Sequence, residues 1–482
     1  MVLNKNENYT INKDKPNKSA TNRILIILLV GGFMSMLSET ALNIAFPSIM
    51  AQFHISAGTV QWLTTIYVYV SGIVFLISAF LIQRFSTRRL FTASMGFLIV
   101  GTLVASISPN FLVLFAGRVI QAIGTGIIVP LIFNTVLILI PDEKRGATMG
   151  LVTLVVMFAP TIAPVIMGFI MGFLDWHWFF VLVLVCFIAI AIAGISFLSN
   201  VTEVGRPKLD FLSVILAAIG FGGVVIGLGG MGDNGLSPNV IIPLIVGIIG
   251  LVIFAIRQLT MEKPMLDLHV FKYPFFSIGI MITMINVMIV FAMVIILPIY
   301  LQNALGTTSF MASLVLLPGG ILNCILSLIS GRIYDEHGPK LVISSGLALM
   351  CISMALFSFL SASTLLTVIV LLLICFFIGT GLVMASNQTN TLGNLPPKYY
   401  ASGSAIMTTL QQIGGAIGSA LFVSFMIFGQ NNYLQNLVNP SVTQQVLALV
   451  SGVDFAYLIG AVVIGVVFVL SLFLKREVPT GK

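Results

Sequence analysis

Residues 24–46 read ILIILLVGGFMSMLSETALNIAF, an apolar run with one charge, Glu39. A helix rises about 1.5 Å per residue, so the run can cross the roughly 30 Å hydrocarbon core of a bilayer. Lipid offers backbone N–H and C=O groups no water, and a helix satisfies them within the segment. A charge near the middle of such a helix costs about 2.5–3.5 kcal/mol on insertion scales. An acid kept there is a candidate for chemistry rather than for solubility.

Working outward, similar runs occur at 60–81, 90–107, 111–139, 147–171, 178–198, 210–231, 240–258, 275–301, 309–330, 341–360, 365–386, 402–428 and 453–474. The chain is therefore expected to be an all-α polytopic membrane protein with fourteen transmembrane helices. Its 482 residues are 58% hydrophobic and 8% charged, whereas soluble domains carry about 25% charged residues. Of 22 basic and 15 acidic residues, this reading leaves two away from the ends of spans: Glu39 and Arg118.

Lys and Arg collect in the cytoplasmic loops of membrane proteins. Here Lys5, Lys13, Lys15, Lys18 and Arg23 precede the first span, and Arg84, Arg88 and Arg89 follow the second. Lys144, Arg145, Arg206, Lys208, Arg257, Lys263, Lys272, Arg332, Lys340, Lys398, Lys475, Arg476 and Lys482 fall in later even-numbered loops or the C-terminal tail. The odd-numbered loops hold none, so both termini are expected in the cytoplasm. The net charge of +7 then reflects topology, and no nucleic-acid partner is expected. Residues 1–22 and 476–482 read as cytoplasmic tails, and no removable signal peptide is expected. Cys186, Cys324, Cys351 and Cys375 sit in apolar runs without metal-like spacing, and His54, His177, His269 and His337 are scattered in loops. Neither a metal nor a cofactor is expected.

An internal repeat organises the spans. An offset of 252 lays the loop AFLIQRFSTRR (79–89) on GRIYDEHGPK (331–340), with Gln83 over Asp335. It also lays span one on span nine and span four on span twelve, and Pro47 falls one residue from Pro298. Two parallel six-span halves follow, a layout used by secondary transporters. The halves are residues 23–200 and 269–475, with 201–268 an inserted helix pair. The offset sends Glu39 to Phe291 and Arg118 to Val370. Ionisable coupling chemistry is accordingly expected in the first half alone.

Several motifs stand in order: LSETALNIAFP at 37–47, QWLTTIYVY at 61–69, the 79–89 loop, and Arg118-x-x-Gln121-x-x-Gly124. Gly150, Ala159, Ala163, Pro164 and Gly168 follow in span five, then Trp176-His177-Trp178. Over nearly the whole chain these resemble the fourteen-helix drug:proton antiporters of the major facilitator superfamily, especially the multidrug and lincosamide exporters of Gram-positive bacteria. The resemblance implies two six-helix bundles plus two inserted helices, rocking about a cavity lined in part by spans one and four. It implies efflux of a small lipophilic drug in exchange for protons across a bacterial cytoplasmic membrane, by a monomer. Gln83 stands where the signature usually has Asp, which Asp335 retains in the second half. Alanines and Met167 stand at usual glycines of the span-five motif.

Glu39 lies eight residues before Pro47, and Arg118 eight residues after Asn110, so both sit about 12 Å below one boundary. They are expected to face one water-accessible cavity and to share proton coupling, because burial and a nearby guanidinium act oppositely on a carboxyl. Candidate substrate contacts are Asn43, one helical turn from Glu39, with Trp62, Tyr67, Gln121, Asn134, Asn286, Asn387 and Gln411, although each also suits interhelical packing. Pro160 and Pro164 are expected to bend span five and serve gating, together with Gln83, Arg84 and Asp335 in the two repeated loops. A lone coupling acid suits neutral or singly charged lipophilic substrates.

The competing readings are a proton-coupled solute importer of the same fold and a membrane sensor or scaffold. No loop is long enough for a soluble signalling domain. The spans hold no paired catalytic carboxylates or His cluster, so an enzyme is not expected.

Overall fold

A computed structural model of the chain describes residues 18–140, 142–200, 210–235, 237–261, 264–396, 399–435, 437 and 439–473. The expected tails fall largely outside them. α1 (Lys18–Ala41) passes through a 3-10 turn at Leu42–Ala45 into α2 (Phe46–Phe53), and α3 (Ala57–Val60) leads into α4 (Trp62–Arg84). α5 (Thr87–Ser106), α6 (Phe111–Leu139), α7 (Asp142–Met171) and α8 (His177–Phe197) follow. Then come α9 (Phe211–Asn234), α10 (Pro238–Thr260) and α11 (Pro274–Asn303). α12 (Ser309–Phe357) holds two spans joined at Gly338, whose φ of 80° breaks the helix. α13 (Leu366–Gly393), α14 (Tyr400–Leu434) and α15 (Val442–Ser471) complete the order. Among the described residues there is no strand, and 14 helical segments are long and apolar enough to cross a membrane.

The last span departs most from expectation, beginning at Val442 rather than near 453. Gln444 and Gln445 delay the hydropathy signal, but they belong to the helix start. Ser441 caps it, and the Gln444 side chain returns to the Ser441 N–H in a capping box. Asp454 therefore lies well inside α15. The expectation that Glu39 and Arg118 are the only charges away from span ends is corrected: among the described residues Asp454, twelve residues into α15, is another.

α1, α4, α5, α6, α7 and α8 pack on one another, as do α11 to α15, while the α9–α10 hairpin lies against α14 and α4. In lipid, close van der Waals packing rather than water exclusion holds helices together, and small residues permit it. A Cβ on Gly117 of α6 would stand 2.9 Å from the Ala105 nitrogen and the Gly101 oxygen of α5. A fork closes the base of the α9–α10 hairpin, where Arg257 donates to both Asp210 oxygens at 2.8 and 3.0 Å.

The two groups of helices meet along α4–α14 and α7–α12, and where α11 reaches the 3-10 turn. Thr65 and Ser419 share a 2.6 Å hydrogen bond, Gln412 donates to Ser71 at 3.2 Å, and Gln302 donates to the Ile44 carbonyl at 3.0 Å. Thr161 lies 3.6 Å from the Cys324 sulfur. Of these, the Gln302–Ile44 bond lies at the helix ends remote from Arg84, whereas Ser71, Gln412, Thr161 and Cys324 lie within the middle turns of their helices.

Candidate functional site

The site begins with Pro47. Proline has no N–H, and its ring excludes a hydrogen bond to the carbonyl four residues earlier, that of Asn43. The chain tightens instead, and the Asn43 carbonyl accepts from the Phe46 N–H three residues on. α1 thus ends just beyond Glu39, and the carbonyls of its last turn become acceptors for another helix.

Arg118 of α6 takes that role. Its guanidinium donates to the Ser38 and Glu39 carbonyls, each at 2.8 Å, to the Leu63 carbonyl of α4 at 3.3 Å, and to the Gln121 side-chain oxygen at 3.1 Å. It also lies 4.1 Å from the centroid of the Tyr67 ring, a cation–π contact worth about 2 kcal/mol when desolvated. Arg118 is wholly buried and Glu39 is 5% exposed. The shared depth expected of the pair is observed, but the guanidinium grips the backbone of Glu39 rather than its carboxylate. Oε2 of Glu39 is buried with no hydrogen-bond partner.

A shell of polar side chains holds this centre. Tyr67 shares a 2.5 Å hydrogen bond with Thr125 and donates to the Ser35 carbonyl at 3.3 Å. Gln121 donates to Thr102 of α5 at 2.7 Å, and Thr64 donates to the Asn43 oxygen at 2.5 Å. Four helices are laced around one fixed cation. Ser38, Thr64, Thr102 and Thr125 were not singled out from the sequence. Thr125 stands seven residues after Arg118, two turns along the same face of α6, and that spacing was the available signal.

The expected substrate contacts separate into groups. Tyr67 and Gln121 belong to the arginine network, with their polar atoms engaged there. Trp62 is half-buried and packs toward Gly229 of α9. Asn134 is half-buried on α6, and Gln411 is half-buried on α14 beside Gln412, which bridges to Ser71. In the second half, Asn387 donates to the Gly279 carbonyl at 2.7 Å and to Thr283 at 2.8 Å, and Asn286 lies 3.6 Å from the Met350 sulfur. The amide oxygens of Asn286 and Asn387 are buried without partners, as is that of Asn323, which sequence reasoning did not select. Asn43 keeps a buried, unpartnered amide nitrogen. Asp454 has one buried unpartnered oxygen, and the Tyr457 hydroxyl on the same helix is likewise buried without a partner.

Of the gating candidates, Pro164 is buried and Pro160 half-buried within the unbroken run of α7, with Ala159 and Ala163 fully buried. Gln83 and Arg84 are exposed at the end of α4. The side chain of Asp335 lies outside the described residues. Among the described residues no group of His, Cys, Asp and Glu could hold a metal ion.

Residues 28–419 match the family model described as Major Facilitator Superfamily. The chain is 44% identical over 457 residues to lincomycin resistance protein LmrB of Bacillus subtilis, covering 94% of this chain and 95% of that protein. It is 43% identical to lincomycin resistance protein LmrB of Listeria innocua, over 94% of this chain and 96% of the relative. At 14% identity, it resembles the structure of a bacterial homolog of the human lysosomal transporter Spinster in an inward-facing, unoccupied conformation. That TM-score is 0.68, covering 96% of this chain and all of the other. A peptide transporter POT in complex with sulfate gives a TM-score of 0.67 at 17% identity, over 94% and 96% of the two chains.

Proposed function

The chain belongs to the major facilitator superfamily, and from that premise we propose that it exports lipophilic antibiotics from the cytoplasm in exchange for protons, by alternating access. Its family and relatives are transporters, not enzymes. Relatives above 40% identity are named lincomycin resistance proteins, which supports an antibiotic cargo. We propose both termini in the cytoplasm, which the basic residues of the even-numbered loops support, and a monomer as the transporting unit. Residues 23–200 and 269–475 form its rocking halves, and 201–268 is the inserted pair.

The observation that carries this reading is the orphaned Glu39 oxygen beside a fully engaged arginine. An unpaired carboxylate buried away from water is costly. A proton on the carboxyl relieves that cost, and so does a hydrogen-bond donor brought by a substrate. The two compete for the same oxygen, and that competition is exchange. Arg118 is spent on carbonyls, so it acts as a fixed positive field and a clamp rather than a partner that swings away. Asn43, four residues along the chain and with an unpartnered buried amide nitrogen, is the first candidate for contact with the cargo, and the orphaned amide oxygens of Asn286, Asn323 and Asn387 offer acceptors from the second half. One pH unit supplies about 1.4 kcal/mol to the cycle, and one charge moved across 100 mV about 2.3 kcal/mol.

The test is drug-induced proton movement in everted vesicles holding the wild-type chain or Glu39→Gln. Wild type is expected to take up lincomycin and release protons from the vesicle lumen, with both signals at least tenfold lower in the variant. Proton-coupled transport at wild-type rates by Glu39→Gln would falsify the role given to this acid. Drug moving in the opposite direction would establish an importer.

A further inference from the structure

α9 lies along the seam where α4 of one half meets α14 of the other. Tyr69 of α4 donates its hydroxyl to the Ala218 carbonyl of α9 at 2.5 Å. Ser424 of α14 donates to the Leu228 and Gly229 carbonyls of α9, both at 2.9 Å. Val68 of α4, Val225 of α9, and Ile413, Ala416 and Ala420 of α14 share one buried apolar cluster. Glycines allow the approach: a Cβ on Gly229 would stand 3.0 Å from the Trp62 ring and 3.2 Å from the Ala420 methyl. Behind α9, α10 exposes Ile242, Ile245 and Ile249.

The α7–α12 seam is built differently. There Phe169 and Phe310 face each other with ring centroids 6.3 Å apart, and both are exposed. Neither inserted helix is among the principal neighbours of α7 or α12.

The α4–α14 seam is also polar, holding the Thr65–Ser419 and Ser71–Gln412 pairs. When two halves rock, such pairs separate. In hydrocarbon each freed hydroxyl or amide would lose its hydrogen bonds with no water to replace them.

We propose that α9 is a wall carried by α14, closing the α4–α14 seam to the bilayer, so that a substrate dissolved in lipid reaches the interior through the α7–α12 seam. α9 travels with the second half, held by the paired Ser424 bonds and the shared cluster, and it slides over α4, where Tyr69 makes the bond that exchanges. The inserted pair then determines on which flank the transporter is open to membrane-borne cargo. The cargo part of this inference rests on the export of lipophilic drugs proposed above, whereas the wall itself does not.

Two measurements test it. The full chain is reconstituted in phosphatidylcholine–phosphatidylglycerol vesicles containing a phospholipid with a mid-chain diazirine, irradiated, and mapped by peptide mass spectrometry. Adducts are expected on Ile242, Ile245 and Ile249 and on Phe169 and Phe310, with none on Val68, Ala416 or Ala420. Adducts on those three at the level of Ile245 would overturn the wall, whether or not any drug is exported. In the second measurement, Gly229→Cys with Ala420→Cys staples α9 to α14, where the Cβ separation suits a disulfide after slight relaxation. Export of a bisbenzimide dye by the oxidised protein is expected within twofold of the reduced protein. A tenfold loss restored by reductant would show that α9 must leave α14, and would overturn the wall as described.

Discussion

At the scale of single residues, Arg118 serves two carbonyls of α1, one of α4, Gln121 and the Tyr67 ring at once, and lysine cannot replace it. An ammonium is a point donor and cannot reach two carbonyls of α1, one of α4 and Gln121 from a planar fork. Hydrogen bonds to charged groups contribute about 1.5–3 kcal/mol each, so Arg118→Lys is expected to lose about 2–4 kcal/mol of stability and to abolish export. Thermal denaturation in detergent and vesicle transport check the two parts separately. The sequence pointed to Glu39 and Arg118 because a charge in an apolar run is conspicuous. It could not show that the guanidinium would choose backbone carbonyls, since that choice depends on Pro47 breaking α1 one turn after Glu39. Tyr67 and Gln121 were selected as cargo contacts on chemistry alone, and packing engages both in the arginine network. Asp454 was missed because two glutamines hid the true start of its helix.

Between elements, the flank of α7 against α12 offers a lock. Thr161 lies 3.6 Å from the native Cys324 sulfur, and a disulfide needs little backbone movement from there. Thr161→Cys is therefore expected to form a bond with Cys324 that stops export when oxidised and releases it on reduction. Undiminished export by fully cross-linked protein would exclude rocking at this flank. The α9–α10 hairpin makes a different prediction. The Arg257 hydrogen bond, helped by Ser213, holds the Asp210 carboxyl down from its ordinary 3.8 to about 2. Because the folded value is the lower one, the pair stabilises above about pH 4, and its contribution disappears as pH falls toward 2. The pair lies at a helix base and is partly exposed, with Arg257 open to solvent, so the effect is small and salt-screened. The stability difference between wild type and Arg257→Gln is expected to be constant from about pH 5 to 8 and to shrink below about pH 4, as followed by helical circular dichroism. Hydropathy made the spans legible, because length and apolarity are local properties. The position of the inserted pair was not legible, since it depends on glycines and hydroxyls far apart in sequence.

Across the whole molecule, one contact between the halves ends on the broken turn of the first span, at the helix end remote from Arg84. Gln302, from the second half, donates to the Ile44 carbonyl five residues beyond Glu39. A neutral hydrogen bond contributes about 1 kcal/mol net, which corresponds to about a fivefold change in an equilibrium. Gln302→Ala is expected to raise the population open at that end about fivefold, as read from spin-label distances across the seam, with the fold intact. An unchanged distance distribution would exclude the bond from the seal. The resting bias of the empty carrier thus hangs partly on a single amide. Because its acceptor belongs to the same short break that presents the acid, a chemical event at the acid and the unlatching of the far half share one piece of backbone, and neither needs a relay through the bundle to reach the other.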